Sequence, residues 1–224
     1  IAQDAVKDLY ARSFSPCVRL INQTLCAKTL NKALNTLDKI VPPYCRECEF
    51  HTTVVSFDIK RDLRGLVLMV LSFLASQKET SKLYIWTTRR DMSRLQNVLG
   101  KWNGQRIRLM DDRNGSFMLK AGASPGSADM VRFHILALRG GIYVDADTVF
   151  LRDLSAMCYA TFAYRWSHTD YINTAVMGSP QNGDYVSKMI AKHGEDWNAF
   201  HPYRLSKKDL LRLPSRLFDA AWLI

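Results

Sequence analysis

The sequence predicts an α/β fold in which helices flank a mainly parallel sheet. Segments of strand and helix length alternate with short links from residue 51 to residue 147, as in right-handed βαβ units. The predicted strands are almost continuously apolar, which is typical of strands buried on both faces of a parallel sheet. Two carboxylates, Asp145 and Asp147, lie at the carboxyl end of one such strand. Ligands of these sheets bind beyond the strand ends, so this position is a candidate site.

The first 50 residues form a helical lead-in or stem that precedes the α/β domain. Pro42 and Pro43 end its helical pattern. We therefore divide the chain into this segment, 1–50, and one domain, 51–224. An apolar residue recurs every three or four positions, at Leu30, Ala33, Leu34, Leu37 and Ile40.

The elements of the domain follow from hydrophobic periodicity and from the residues that begin or end helices. Ser127 is a plausible N-cap for the third helix, and Gly104 closes the second. Gly140 and Gly141 end the third helix, because glycine adopts the left-handed C-cap conformation at little cost. Predicted strands cover 51–58, 82–88, 106–111 and 142–147, and predicted helices cover 62–77, 90–102, 127–139 and about 183–193.

The composition indicates a globular protein without a nucleic-acid partner. Hydrophobic residues make up 47% of the chain and charged residues 23%. The net charge is +10, but the basic residues are dispersed, without an aromatic-interleaved tract or a zinc-finger pattern. The charge suits solubility or a diphosphate ligand. No apolar run reaches the roughly 18 residues that a membrane span needs. Because the sequence begins at Ile1, we expect a fragment or processed form whose membrane anchor lies outside this chain.

The five cysteines leave at least one thiol outside any intramolecular disulfide. Four of them precede residue 50 and would suit two disulfides in an oxidising compartment, with buried free thiols as the alternative. Glycosylation sequons at Asn22 and Asn114 also favour an oxidising compartment. The cysteines are Cys17, Cys26, Cys45, Cys48 and Cys158.

Asp145 and Asp147 predict a cation site. In a strand, residues i and i+2 project to the same side, so the two carboxylates would repel each other. A divalent cation removes this conflict, and hard oxygen ligands suit Mg²⁺ or Mn²⁺ completed by substrate phosphates. The alternative is a surface turn with two solvated aspartates.

Two classes of enzyme reaction use an Asp-x-Asp motif that follows an apolar strand. The stretch VDADTVFL, 144–151, resembles the opening of haloacid-dehalogenase-type phosphatases, in which Asp145 would be the nucleophile and Asp147 the acid/base. That family carries the motif near the start of its domain, whereas here 144 residues precede Asp145. The other chemistry is sugar transfer from a nucleotide-sugar, in which a metal stabilises the departing diphosphate.

The segment SADMVRFHILALRGGIYVDAD, 127–147, favours sugar transfer. Its Asp-x-x-Arg, Gly-Gly and Asp-x-Asp motifs, in this order and spacing, resemble the sugar-binding region of retaining glycosyltransferases. These include fungal α-mannosyltransferases, animal α-1,4-galactosyl- and N-acetylglucosaminyltransferases, and the glucosylating clostridial toxins. YINTAVMGSP, 171–180, and LPSRLF, 213–218, resemble later segments of the same family. The resemblance implies a GT-A fold, a nucleotide-sugar donor and Mn²⁺ or Mg²⁺.

The same resemblance implies roles for individual residues. Asp145 would contact the ribose and bind the metal, and Asp147 would coordinate the metal directly. Asp129 and Arg132 would grip hydroxyls of the transferred sugar. Relatives also carry a histidine near the C-terminus that completes the metal site. This sequence ends at Ile224 before such an element, so we expect a C-terminal truncation.

The resemblance implies two further site residues, Phe57 at the end of the first predicted strand and Asn173 in the segment that resembles a later strand of the family. Phe57 would stack on the nucleotide base, with a place in the core as the alternative. Asn173 would face the sugar, with a structural turn as the alternative.

The sequence thus predicts a metal-dependent retaining hexosyltransferase. UDP-sugars are favoured as donors over GDP-mannose, and the acceptor is a glycan, glycolipid or protein. A non-catalytic domain of GT-A type that binds a partner or glycan is the alternative. The expected location is the Golgi lumen, as a type II membrane protein, with a secreted protein or a viral or bacterial effector as the alternative.

Overall fold

A computed structural model describes residues 47–55, 58–102, 104, 106–111, 125–165, 172–193 and 210–213. The predicted lead-in helix lies outside these residues, as do Phe57 and the predicted loop that follows residue 111. The elements of the domain can be compared with the sequence predictions over the described ranges.

One seven-stranded sheet forms the centre of the domain, with the order β3-β2-β1-β4-β6-β5-β7. The pairings of β1 with β2 and β4, of β2 with β3, and of β5 with β7 are parallel. Only β6 is antiparallel to its neighbours, β4 and β5, within the described sheet. The prediction of a mainly parallel sheet is confirmed. The strands are β1 (Glu49–Val54), β2 (Lys82–Thr87), β3 (Ile107–Asp111), β4 (Gly141–Val144), β5 (Phe162–Arg165), β6 (Ile172–Ser179) and β7 (Leu211–Leu213).

Four described α-helices accompany the sheet, and several of their ends differ from the prediction by one to three residues; the first, for example, begins at Ile59 and not at residue 62. The second ends at Leu99, so Gly104 belongs to the following turn, where its φ is 111°. The third begins at Pro125, which suits the first turn of a helix, so Ser127 lies inside the helix and is not its N-cap. The helices are α1 (Ile59–Ser76), α2 (Arg89–Leu99), α3 (Pro125–Arg139) and α4 (Asp184–His193).

Alternate residues of the central strands build a hydrophobic core on each face of the sheet. On the α1 side, the rings of Phe50, Phe73 and Phe150 contact one another edge to face, with centroids 5.3–5.6 Å apart. On the side of α3 and α4, Trp86 and Tyr143 pack with the helices. Burial on both faces explains why the strands read as continuous apolar runs.

A disulfide joins Cys48, just before β1, to Cys158, 110 residues later. The prediction of pairing among the four N-terminal cysteines is therefore wrong for Cys48. Sequence spacing could not find this bond, because the sheet alone brings the two residues together. Cys17, Cys26 and Cys45 lie outside the described residues.

Within the described ranges, no helix combines the length and the apolar character that crossing a membrane requires.

Candidate active site

The turn from α3 into β4 sets the position of the two aspartates. Gly140 and Gly141 both have positive φ values, 71° and 96°, which confirms the predicted helix end. A Cβ atom on Gly141 would lie 2.2 Å from the backbone oxygen of Glu49 in β1. Only glycine allows β4 to start this close to β1, and Asp145 follows four residues later at the carboxyl end of the strand.

The chain leaves the sheet earlier than predicted. Strand β4 ends at Val144, and the N–H of Thr148 donates to the carbonyl oxygen of Asp145 at 3.0 Å, closing a turn. The expectation that residues 142–147 form one strand is therefore wrong. The two-residue alternation of a strand does not set the directions of Asp145 and Asp147.

Both carboxylates nevertheless face the same cleft, which has a volume of about 440 Å³. Asp145 is partly buried there, whereas Asp147 is exposed. The cleft lies at the carboxyl ends of β1 and β4, where ligands bind in sheets of this type. Its lining residues are Thr53, Val54, Val55, Asp62, Gly65, Leu66, Arg132, Tyr143, Asp145, Ala146 and Asp147.

Arg132 reaches this cleft from α3 and is 6% exposed. Its Nη2 lies 3.3 Å from Oδ1 of Asp145, and its Nη1 donates to Oγ1 of Thr174 at 2.8 Å. The guanidinium also lies over the Tyr143 ring, 4.9 Å from the centroid. The structure thus brings together Arg132, Asp145 and Asp147 as the sequence predicted, and the charge of Arg132 offsets that of Asp145.

For Asp129 and Asn173, the structure gives less information about the predicted roles. Asp129 lies in α3, one turn before Arg132, but its side chain is outside the described part of the structure. Asn173 accepts a hydrogen bond from the N–H of Ala175 at 2.7 Å through its side-chain oxygen. This contact matches the structural alternative, and the sugar-facing role of Asn173 stays a prediction.

Two residues that line the cleft, Thr53 and Tyr143, were not predicted as site residues from the sequence. The Tyr143 hydroxyl and Oγ1 of Thr53 are 2.7 Å apart, so the end of β1 is tied to β4 inside the cleft. The position of Tyr143, two residues before Asp145, could have indicated its place in the cleft, whereas nothing in the sequence shows that the strand of Thr53 lies beside it.

His51 fixes the double-glycine turn from the interior. Trp86 Nε1 lies 3.4 Å from its Nδ1, which must accept, so Nε2 carries the proton and donates to Gly140 O at 3.0 Å. Burial lowers the pKa of His51 to about 4, and the positive charge of Arg139 acts in the same direction. The imidazole is therefore neutral at pH 7.

Helix α1 holds the segment that follows the aspartates. Ser72 Oγ accepts from the N–H of Phe150 at 3.0 Å. The Gln77 amide donates to the carbonyl of Arg152 and accepts from the N–H of Leu154, at 2.7 and 2.9 Å. These hydrogen bonds hold the chain after the Asp145–Asp147 turn in place, as the double-glycine turn does for the chain before it.

The residues present suit a divalent cation only in combination with substrate oxygens. Among the described residues, no three His, Cys, Asp or Glu side chains come together to hold a metal by themselves. Asp145 and Asp147 supply carboxylate oxygens at one turn, and Mg²⁺-type ions commonly complete such a pair with phosphates and water. The donor set therefore fits a metal bound together with a diphosphate.

The fold and the cleft define a class: an α/β domain with an acidic Asp-x-Asp turn, backed by an arginine, at the carboxyl ends of parallel strands. The family model for the glycosyltransferase sugar-binding region containing the DXD motif matches residues 31–164. This match covers more than half of the chain, so the chain belongs to this family and is a glycosyltransferase. The resemblance drawn from residues 127–147 is confirmed, and the phosphatase alternative is set aside.

Three solved structures are similar to this chain at low sequence identity. The PaToxG glycosyltransferase is 14% identical, with 78% of this chain and 68% of that chain covered and a TM-score of 0.49. GlyE of Streptococcus pneumoniae is 12% identical, with 76% and 46% covered and a TM-score of 0.49, so this chain spans about half of its length. The 4-diphosphocytidyl-2C-methyl-D-erythritol synthase of Anaerococcus prevotii is 11% identical, with 76% and 88% covered and a TM-score of 0.43. No curated protein sequence gives a significant match.

Proposed function

We propose that this glycosyltransferase moves a hexose from a nucleotide-sugar to an acceptor, with retention of configuration and with a divalent metal. One observation carries the proposal: Asp145, Asp147 and the buried Arg132 line one cleft of about 440 Å³ at the carboxyl ends of β1 and β4. A cleft of this size suits a ligand of the dimensions of a nucleotide-sugar.

The two aspartates have different surroundings, which supports different roles. Asp145 is partly buried and paired with Arg132, so its carboxylate is held in one orientation for the ribose and the metal. Asp147 is exposed at the tip of the turn, where it can ligate a cation that enters with the diphosphate. The bound metal would offset negative charge on the departing diphosphate.

The transfer step requires no protein nucleophile under this proposal. The acceptor hydroxyl would attack the anomeric carbon on the face from which the diphosphate leaves, and a phosphate oxygen would take the proton. The protein positions donor and acceptor and stabilises the developing charge. Asp129 and Arg132 would hold hydroxyls of the transferred sugar, and Phe57 would stack on the base. UDP-sugars are the proposed donors, with GDP-mannose as the other candidate.

A screen of donor hydrolysis tests the proposal. UDP-galactose, UDP-glucose, UDP-N-acetylglucosamine and GDP-mannose are each incubated with the protein, with Mn²⁺ or with chelator. We expect one donor to be hydrolysed in a metal-dependent reaction. Absence of both hydrolysis and metal-dependent binding for all four donors would favour the non-catalytic alternative and overturn the proposal.

Asp147→Asn is the matching variant, since it removes a ligand charge without changing size. We expect a decrease of about a hundredfold or more in Mn²⁺-dependent hydrolysis, with an unchanged thermal midpoint. Asp184→Asn is the control, because Asp184 is an exposed carboxylate in the first turn of α4 and outside the cleft. Unchanged metal dependence in Asp147→Asn would refute its role as a ligand.

The acceptor and the location are proposed on other grounds. A glycan, a glycolipid or a protein remains the proposed acceptor. The buried disulfide between Cys48 and Cys158 supports folding in an oxidising compartment. We therefore propose the Golgi lumen, through an anchor outside this chain, with secretion as the alternative. Detection of the intact disulfide in protein isolated from its native host tests this location.

A further inference from the structure

We infer that Thr174 is a positioning residue for the transfer reaction. A β-bulge in β6 directs its hydroxyl toward Arg132. This inference rests on the proposed function and adds a residue from β6 to a site otherwise built from β1, β4 and α3. Thr174 does not line the described cleft, so its contribution passes through the arginine.

The bulge is visible in the register of β6 against β5. Ala163 pairs with Met177, but the next residue of β5, Tyr164, pairs with Asn173. One step along β5 therefore corresponds to four along β6. The side-chain oxygen of Asn173 accepts from the N–H of Ala175 at 2.7 Å and holds the irregular segment in place. Bulges of this kind commonly redirect a side chain beside an active site.

The redirected side chain is that of Thr174, which is 7% exposed. Its Oγ1 accepts from Nη1 of Arg132 at 2.8 Å, while Nη2 of the same guanidinium lies 3.3 Å from Oδ1 of Asp145. The next residue, Ala175, accepts from the N–H of Asp145 at 2.8 Å through its backbone oxygen. The bulge thus holds both the backbone of Asp145 and the arginine that orients its carboxylate.

A hydroxyl at this point fixes the direction of a buried cation. Arg132 is 6% exposed and rests on the Tyr143 ring, which favours the charge but leaves the guanidinium able to turn in its plane. A hydrogen bond to Thr174 on one side and an ion pair with Asp145 on the other define its rotation. Without the hydroxyl, Arg132 loses a directional hydrogen bond, and the Asp145 carboxylate is less well oriented for the donor.

Thr174→Val and Thr174→Ser separate this role from packing. Valine keeps the branched shape without the hydroxyl, and serine keeps the hydroxyl. We expect the kcat/KM of donor hydrolysis to fall about tenfold to a hundredfold in Thr174→Val, as for the loss of a hydrogen bond to a charged group. Thr174→Ser should return it to within about threefold of wild type. Thr161→Val is the control, because Thr161 is similarly buried but lies just before β5, beside the Phe162–Gly178 pair near the C-terminal end of β6.

A double variant tests whether the effect passes through Arg132. In an Arg132→Lys background, which lacks the guanidinium fork, Thr174→Val should change kcat/KM by less than about twofold. Equal fold-losses in the two backgrounds, or a loss in Thr174→Val no larger than in Thr161→Val, would overturn the inference.

A crystal structure of Thr174→Val without donor tests the same idea independently of activity. We expect the separation of Arg132 Nη2 and Asp145 Oδ1 to increase from 3.3 Å or the guanidinium to rotate. An unmoved guanidinium would overturn the inference even if the enzyme is active. If wild type hydrolyses no donor, the proposed function fails, and this measurement still decides the role of Thr174.

Discussion

Acid should weaken the fold through His51, and His51→Gln should remove this effect. The imidazole is fully buried between the double-glycine turn and Trp86. Protonation of Nδ1 would place a donor against the indole N–H and a charge in the core. Glutamine can offer one acceptor and one donor at similar positions but does not titrate.

The size of the effect follows from the difference in pKa between the folded and unfolded states. The pKa of His51 is lowered from 6.5 to about 4 in the folded chain. Above pH 6.5 the residue is neutral in both states, and its contribution to stability is fully present. Below that pH the unfolded chain binds a proton first, so stability falls until the folded pKa is reached. The loss is roughly 2 kcal/mol between about pH 7.5 and pH 5, and roughly 3 kcal/mol by pH 4.

Urea unfolding of wild type and His51→Gln at these pH values provides the measurement. The free energy of unfolding should decrease with acidity by about 2 kcal/mol more in wild type than in the variant. Other titrating groups, including His134, whose pKa burial also lowers, contribute to both proteins and cancel in the comparison. Parallel pH dependences for the two proteins would refute the account of a neutral buried His51.

Three further outcomes are expected. Gly141→Ala should prevent soluble folding or sharply lower the thermal midpoint, because its Cβ would meet backbone at 2.2 Å, whereas Gly65→Ala in α1, with open space around the Cβ, should gain roughly 0.5–1 kcal/mol. Replacing Cys48 and Cys158 by serine should lower the free energy of unfolding in urea by about 4–5 kcal/mol, since 110 residues separate them, and a loss below about 1 kcal/mol would contradict that estimate. Asp129→Ala should reduce donor turnover more than nucleotide affinity measured by calorimetry, and equal losses would indicate a structural role.

The order of elements and the location of the site were predictable, because both follow from local chemistry. Strand and helix periods alternate along the chain, and glycines with positive φ mark the end of α3. Asp145 and Asp147 stand out because two carboxylates directly follow the apolar stretch GIYV, whose residues are all buried. The predicted ends of α1, α2 and α3 differ from the observed ends by up to three residues, since several residues near each end could serve as caps.

The features that the sequence could not predict depend on contacts between distant residues. The partner of Cys48 is set by the sheet, which places β1 beside the segment before β5. The bulge in β6 depends on its pairing with β5, and nothing in INTAVMGS alone marks it. Thr53 reaches Tyr143 only because β1 and β4 are neighbours, although 90 residues separate the two.

At the pair of aspartates, the structure differs from the geometry that the sequence predicts. From the sequence, Asp145 and Asp147 are expected to be two equivalent carboxylates on one strand, whose mutual repulsion a cation relieves. In the structure, the strand ends before the two aspartates, and their surroundings differ. Arg132 lies 3.3 Å from Asp145 and supplies a permanent counter-charge inside the protein, whereas Asp147 projects into solvent. Because Arg132 supplies a counter-charge to Asp145, repulsion between the two carboxylates does not by itself require a bound cation. The site is therefore preorganised on its buried side and open on its exposed side, as a metal that enters with a diphosphate would require.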